Sequence, residues 1–176
     1  MKLEAADKTY YKIGMNDGVW ISENENYYED YAYVRFCPKK TGAITFSISY
    51  YDGDMIVPVK LMKQNSSGEY VSAASGYDED YISNKNENGG ESTATYAVKK
   101  GVKYALRVET DASYFLNSEF HKVGESGGKK KSSAKQLKKG KAQYGLLYIG
   151  KKQSRWYKYK VPKTKTVAIQ FKGWGN

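Results

Sequence analysis

The chain has 176 residues, enough to bury one good hydrophobic core, or one domain and a piece of a second. Eighteen tyrosines against five Phe and three Trp tilt its composition toward half-buried pleated surfaces. A single cysteine excludes an intramolecular disulfide and any CxxC metal site, and no stretch approaches the roughly 20 apolar residues of a membrane-spanning helix.

The net charge of +10 conceals a segregation. Residues 1–121 hold 13 Lys/Arg against 18 Asp/Glu, a net of −5, whereas residues 122–176 hold 16 Lys/Arg against Glu125 alone, a net of +15. A field of that kind attracts an anionic polymer or surface, although charge also serves solubility alone.

Residues 9–13 (TYYKI) and 19–22 (VWIS) read as short strands around the turn residues Asn16, Asp17 and Gly18, and the start MKLEAADK has no hydrophobic signal region. Residues 23–30 (ENENYYED) form an acidic loop carrying Tyr27 and Tyr28. Residues 31–47 (YAYVRFCPKKTGAITFS) read as a β-hairpin, with Cys37 a small filler at a strand end. The second arm continues with Ile44, Phe46, Ile48 and Tyr50 on one face and Thr45, Ser47 and Ser49 on the other. That period of two implies one buried and one wet face.

Past the turn at Asp52, Gly53 and Asp54, residues Val57, Val59 and Leu61 alternate with Pro58 and Lys60, and the proline predicts an edge position. A modest strand at 70–75 precedes the polar loop 76–91. Residues 93–98 alternate again, Lys99-Lys100-Gly101 marks a tight turn, and Val102, Tyr104, Leu106 and Val108 make the strongest strand pattern of the chain. A last strand lies near residues 114–116. Eight or so short strands without an amphipathic helix predict an all-β fold, an antiparallel β-sandwich of jelly-roll type.

Residues 124–134 (GESGGKKKSSA) read as a Gly/Ser/Lys-rich linker, followed by one helical turn stopped by Gly140 and a strand at 144–149. Residues 156–172 (WYKYKVPKTKTVAIQFK) then repeat 31–47 at an offset of 125, with Lys40/Lys165, Thr41/Thr166, Ala43/Ala168, Ile44/Ile169 and Phe46/Phe171 identical. An additional β-hairpin unit is expected there. Three strands cannot bury a core alone, so the segment must pack on the first domain, pair with another chain, or be completed by further sequence.

Taken together, KKGVKYALRV (99–108) resembles the late "aGkxYyirV" strand of bacterial pre-peptidase C-terminal (PPC) domains. Residues 31–36 and 156–161 resemble that family's "DxYxFxV" strand, and SSAKQL (132–137) resembles its opening. The resemblance implies a PPC-like β-sandwich over 1–123, the linker 124–134, and a basic β-hairpin segment over 135–176 resembling the first half of a second sandwich. PPC-like domains are accessory modules of exported bacterial proteins, and the related collagenase modules bind collagen and calcium. The implied localisation is secreted or cell surface, with the signal peptide removed. The acidic Glu/Asn calcium motif of the collagenase type is not matched: only Glu4 and Asp7, and later Glu125, stand at the corresponding places.

No Ser-His-Asp, Cys-His, GxSxG, HExxH or phosphate-loop pattern is present, and His121 is the lone histidine, so no enzyme is expected. Cofactors are expected to be none, with calcium the one candidate. Asp52, Asp54, Asp78 and Asp80 supply short-spaced oxygens, a pattern that ordinary acidic turns share. Candidate binding residues are Tyr27, Tyr28, Tyr31 and Tyr33, whose rings suit stacking on a polymer or packing across strands. The basic set Lys151, Lys152, Arg155, Lys158 and Lys160 suits a polyanion. With Arg155 the only arginine of the tail, sequence-specific nucleic-acid reading is not expected. The expected function is non-catalytic extracellular binding or adhesion to cell-wall polymer, glycan or host matrix protein. The alternative is a structural accessory module docking on a catalytic domain or partner chain. A homodimer through the C-terminal segment is the candidate assembly, because a lone hairpin leaves an open strand edge.

Overall fold

In the computed structural model, residues 9–23, 31–74, 79–84, 91–109, 111–124, 127–161, 163–164 and 166–173 are described. The period-two runs become ten sandwich strands: β1 (Thr9–Lys12), β2 (Asp17–Ile21), β3 (Tyr31–Phe36), β4 (Gly42–Ser49), β5 (Ile56–Gln64), β6 (Tyr70–Ser72), β7 (Asp80–Ser83), β8 (Ala94–Val98), β9 (Tyr104–Glu109) and β10 (Tyr114–Lys122). A six-stranded sheet runs β1-β3-β9-β5-β6, with β7 also on β5, and a four-stranded sheet runs β2-β10-β4-β8. Every pair within the two sheets is antiparallel except β1 with β3. The all-β antiparallel sandwich expected from the alternation is the fold observed.

The alternation is accurate about faces. Ile44 and Phe46 of β4, Val34 of β3, Leu106 and Val108 of β9 and Leu116 of β10 are fully buried between the sheets. Each such side chain contributes about 1.5–3 kcal/mol on burial. Phe36 stacks on Tyr104 at 5.6 Å and meets Phe46 edge-on at 5.5 Å, joining the two sheets through rings. Tyr114 is also buried, and its hydroxyl donates to the Glu109 carbonyl at 2.7 Å across the β9–β10 connection. Burial pushes the Tyr104 and Tyr114 phenols above their ordinary value.

The partners differ from the expected ones. Residues 31–47 do not form a hairpin: β3 belongs to the six-stranded sheet and β4 to the four-stranded one. Residues 37–41 therefore form an arch over the core. The turn at 99–101 is tight as expected, with Gly101 at φ +74°, but it also arches between sheets, from β8 to β9. The two arches are bonded together. Gly101 N–H donates to the Pro38 carbonyl at 2.8 Å, and Lys100 N–H donates to Thr41 Oγ1 at 3.1 Å. Alternation is the same in a hairpin and in an arch, so the pattern could not separate them. Pro58 is likewise not on an edge strand, since β5 lies between β9 and β6/β7; the β9 ladder begins one residue later, at Val59. Cys37 is exposed rather than a strand-end filler.

The tail behaves differently from the first copy of its own repeat. Its strands are β11 (Lys135–Gln136) and β12 (Tyr157–Lys158), paired in parallel, with a bridge between Gly128 and Trp156. No strand is formed at 144–149 or 166–173; β11 lies where the helical turn before Gly140 is expected, and a 3-10 turn at Lys131–Ser133 precedes it. Leu146 is buried, Ile149 packs against the core, and the Lys99 ammonium lies 4.8 Å from the Tyr148 ring, so this part of the tail rests on the sandwich. Ile169 and Phe171 are 57% and 88% exposed, where their twins Ile44 and Phe46 are fully buried. One residue marks the difference. A Cβ at Gly42 would meet the His121 carbonyl oxygen at 2.2 Å, and the tail has Val167 at that place. The twins give a direct test by chemical unfolding. Phe46→Ala is expected to destabilise by about 3–5 kcal/mol, whereas Phe171→Ala stays within about 0.5 kcal/mol of the parent. Equal losses would show that the second copy is packed like the first.

Candidate functional site

Residues whose neighbours point into the core must themselves point outward, and on the six-stranded sheet those residues are unusually aromatic. Tyr31, Tyr33 and Arg35 alternate with the buried Ala32, Val34 and Phe36 on β3. Parallel pairing sets Tyr10 beside Tyr33 and Lys12 beside Arg35. Antiparallel pairing sets Arg107 beside Tyr33 and Ala105 beside Arg35. On the far side, Met62 follows Ala105, Tyr70 sits beside Gln64, and Tyr81 sits beside Pro58.

These rings converge. Tyr10 lies 5.7 Å from Tyr33 and 6.5 Å from Tyr70, centroid to centroid. Because β1 and β6 are opposite edges of a five-strand path, a flat sheet would hold them roughly 19 Å apart. The sheet is therefore curled toward its outer face, and its edge tyrosines lean over the middle. Beneath them, Ala105 is fully buried and Met62 nearly so, although both face outward, and they floor the concave surface.

Two guanidinium groups lie on this face. Arg35 Cζ is 4.5 Å from the Tyr10 ring centre, and Arg107 Cζ is 4.2 Å from that of Tyr31. Arg107 is also ion-paired with Glu79. Such stacking holds a flat cation in place while leaving its N–H edge for other partners. Burial pushes the Tyr70 phenol above its ordinary value, against a smaller opposing pull from Arg35. Tyr70 thus stays a hydrogen-bond donor throughout the neutral range.

Of the residues singled out in the sequence, the structure brings Tyr31 and Tyr33 together on this face. Tyr27, Tyr28 and Asp78 lie outside the described residues. Tyr10, Tyr70 and Arg35 were missed because their proximity depends on sheet order, for which no local pattern exists. Lys151, Lys152, Lys158 and Lys160 are exposed, and Lys158 and Lys160 share one side of their run. Arg155 is half-buried and tied inward, donating to the Leu146 carbonyl at 3.2 Å and the Ser154 carbonyl at 3.3 Å. His121 Nε2 lies 3.2 Å from Glu119 Oε1 on the outer face of the other sheet, with both side chains exposed.

Three of the four acidic candidates are among the described residues. Asp52 and Asp54 are exposed at the bend after β4, and Asp80 stands on β7. Among the described residues no three His, Cys, Asp or Glu groups are placed to hold a metal ion. The bend's own oxygens are engaged by protein: Asn84 Nδ2 donates to the Gly53 carbonyl at 2.7 Å and to that of Tyr50 at 3.4 Å. Asn84 Oδ1 in turn accepts from Met55 N–H at 2.7 Å. This amide clamp braces the bend from within the protein. Asn84→Ala is therefore expected to lower stability by about 1–3 kcal/mol, equally in calcium and in EDTA. A melting temperature that rises with millimolar calcium, and no longer does so in Asp80→Ala, would put a cation there instead.

No protein-family model matches the sequence, and no curated protein matches it. Among solved structures, the chain is similar to Aeromonas hydrophila PliG, described as a periplasmic lysozyme inhibitor of g-type lysozyme. The two are 12% identical, over 65% of this chain and 99% of that one, with a TM-score of 0.39. A likeness this slight has no bearing on function. No helix among the described residues is long and apolar enough to cross a membrane.

Proposed function

We propose that this chain is a non-catalytic binding module of an exported bacterial protein, and that it holds an extended glycan on the concave face of its six-stranded sheet. The observation that supports this reading is the gathering of Tyr10, Tyr31, Tyr33, Tyr70 and Tyr81 from four strands onto one curved outer face. A tyrosine presents an apolar ring with a polar tip at low entropic cost, which suits a sugar whose faces are apolar and whose edges are hydroxylated. Glycan placement here needs no moving part and no metal.

The exposed lysines of the tail favour a second reading, a polyanion held electrostatically. Co-sedimentation with insoluble wall and plant polysaccharides at low and high salt separates the two. The glycan reading expects binding that keeps its dependence on the tyrosines in high salt. Tyr10→Ala and Tyr33→Ala should each weaken it about tenfold, equivalent to about 1.4 kcal/mol, while Tyr51→Ala, 84% exposed elsewhere, leaves it unchanged. Binding that vanishes with salt and ignores both tyrosine changes would transfer the function to the tail.

A further inference from the structure

The chain has three arginines, at positions 35, 107 and 155, and their surroundings differ. Arg107 is ion-paired with Glu79 and stacked on Tyr31, and Arg155 is spent on main-chain carbonyls. Arg35 is exposed, its guanidinium lies against the Tyr10 ring, and among the described residues it has no carboxylate partner. A guanidinium already held over a ring loses less entropy when it takes a ligand, and its fork of donors matches a planar carboxylate.

Its neighbours add to the case. Lys12 sits beside Arg35 on the adjacent strand, and Lys60 lies across Arg107 on the same outer face, so four basic side chains stand there against the carboxylates of Glu79 and Glu109. Tyr10, Tyr33 and Tyr70 surround the same point, and Tyr70 is held as a neutral donor. Aromatic rings for the body of a sugar and a free guanidinium at its edge form one composite site.

We infer that the concave face selects an acidic polysaccharide, with Arg35 and Lys12 receiving the carboxylate of a uronic acid unit stacked on Tyr10, Tyr33 and Tyr70. The inference rests on the glycan-binding reading above and names the substrate class of that site. A neutral glycan would leave Arg35 without a function on this face. A polyanion lacking sugar rings would leave the tyrosines without one.

The test is calorimetric titration of the full chain, in EDTA to exclude calcium bridging, with polygalacturonate, its fully methyl-esterified form and a neutral glucan. Esterification removes the charge and keeps the ring. Polygalacturonate is expected to bind at least tenfold more tightly than its ester. Arg35→Met should abolish that preference at unchanged melting temperature, and Arg35→Lys should restore part of it. Equal affinity for acid and ester, or an Arg35→Met protein with its preference intact, would overturn the uronate assignment while leaving the glycan reading in place. Absence of binding to all three polymers by the folded protein would overturn both.

Discussion

The structure depends on two arches that cross the core side by side. The chain leaves β3 in one sheet and enters β4 in the other, and it returns from β8 to β9 in the opposite sense. Main-chain bonds from Gly101 to Pro38 and from Lys100 to Thr41 tie the arches, and the Phe36–Tyr104 stack fills the space beneath. Since β3 then pairs with β9 and β4 with β8, the arches set the register of both sheets at once. In that register Phe36 and Val34 must face inward, and so Tyr33 and Arg35 must face out. The proposed binding face is the other side of the core pattern.

That coupling explains the economy of the sequence between residues 31 and 36. Inward residues contribute to stability while Tyr31, Tyr33 and Arg35 face out, so one six-residue strand supplies both the core and the proposed binding face. The parallel addition of β1 beside β3 widens the face by Tyr10 and Lys12, and the curl of the sheet brings Tyr70 in from the opposite edge. Concavity gathers scattered tyrosines into the proposed site.

How much of this was legible follows from what alternation encodes. The buried set of β4, β8 and β9, the wet face of β4, and the tight turn at Gly101 could all be read from periods of two and from turn residues. Strand partners could not, because a hairpin and an arch carry the same pattern; residues 31–47 were misread for that reason. Tyr31 and Tyr33 were found as neighbours in sequence, whereas Tyr10 and Arg35 are brought to them by β1–β3 pairings 23 positions apart, and Tyr70 by curvature. The repeat at 156–172 shows the limit most plainly. It copies Ile44 and Phe46 as Ile169 and Phe171 but has Val167 in place of Gly42, whose missing side chain admits the close approach of β10. Similar letters therefore have opposite burial, because burial belongs to the neighbours as much as to the segment.

The most direct measurement is an NMR titration of the isotope-labelled chain with galacturonate oligomers, following backbone amides residue by residue. The expected result is a contiguous set of shifts across β1, β3, β9, β5 and β6 that includes Tyr10, Tyr33, Arg35 and Tyr70, with Ser47 and His121 on the other sheet unmoved. Shifts confined to Lys151, Lys152, Lys158 and Lys160, with β3 silent, would contradict the assignment of recognition to the concave face.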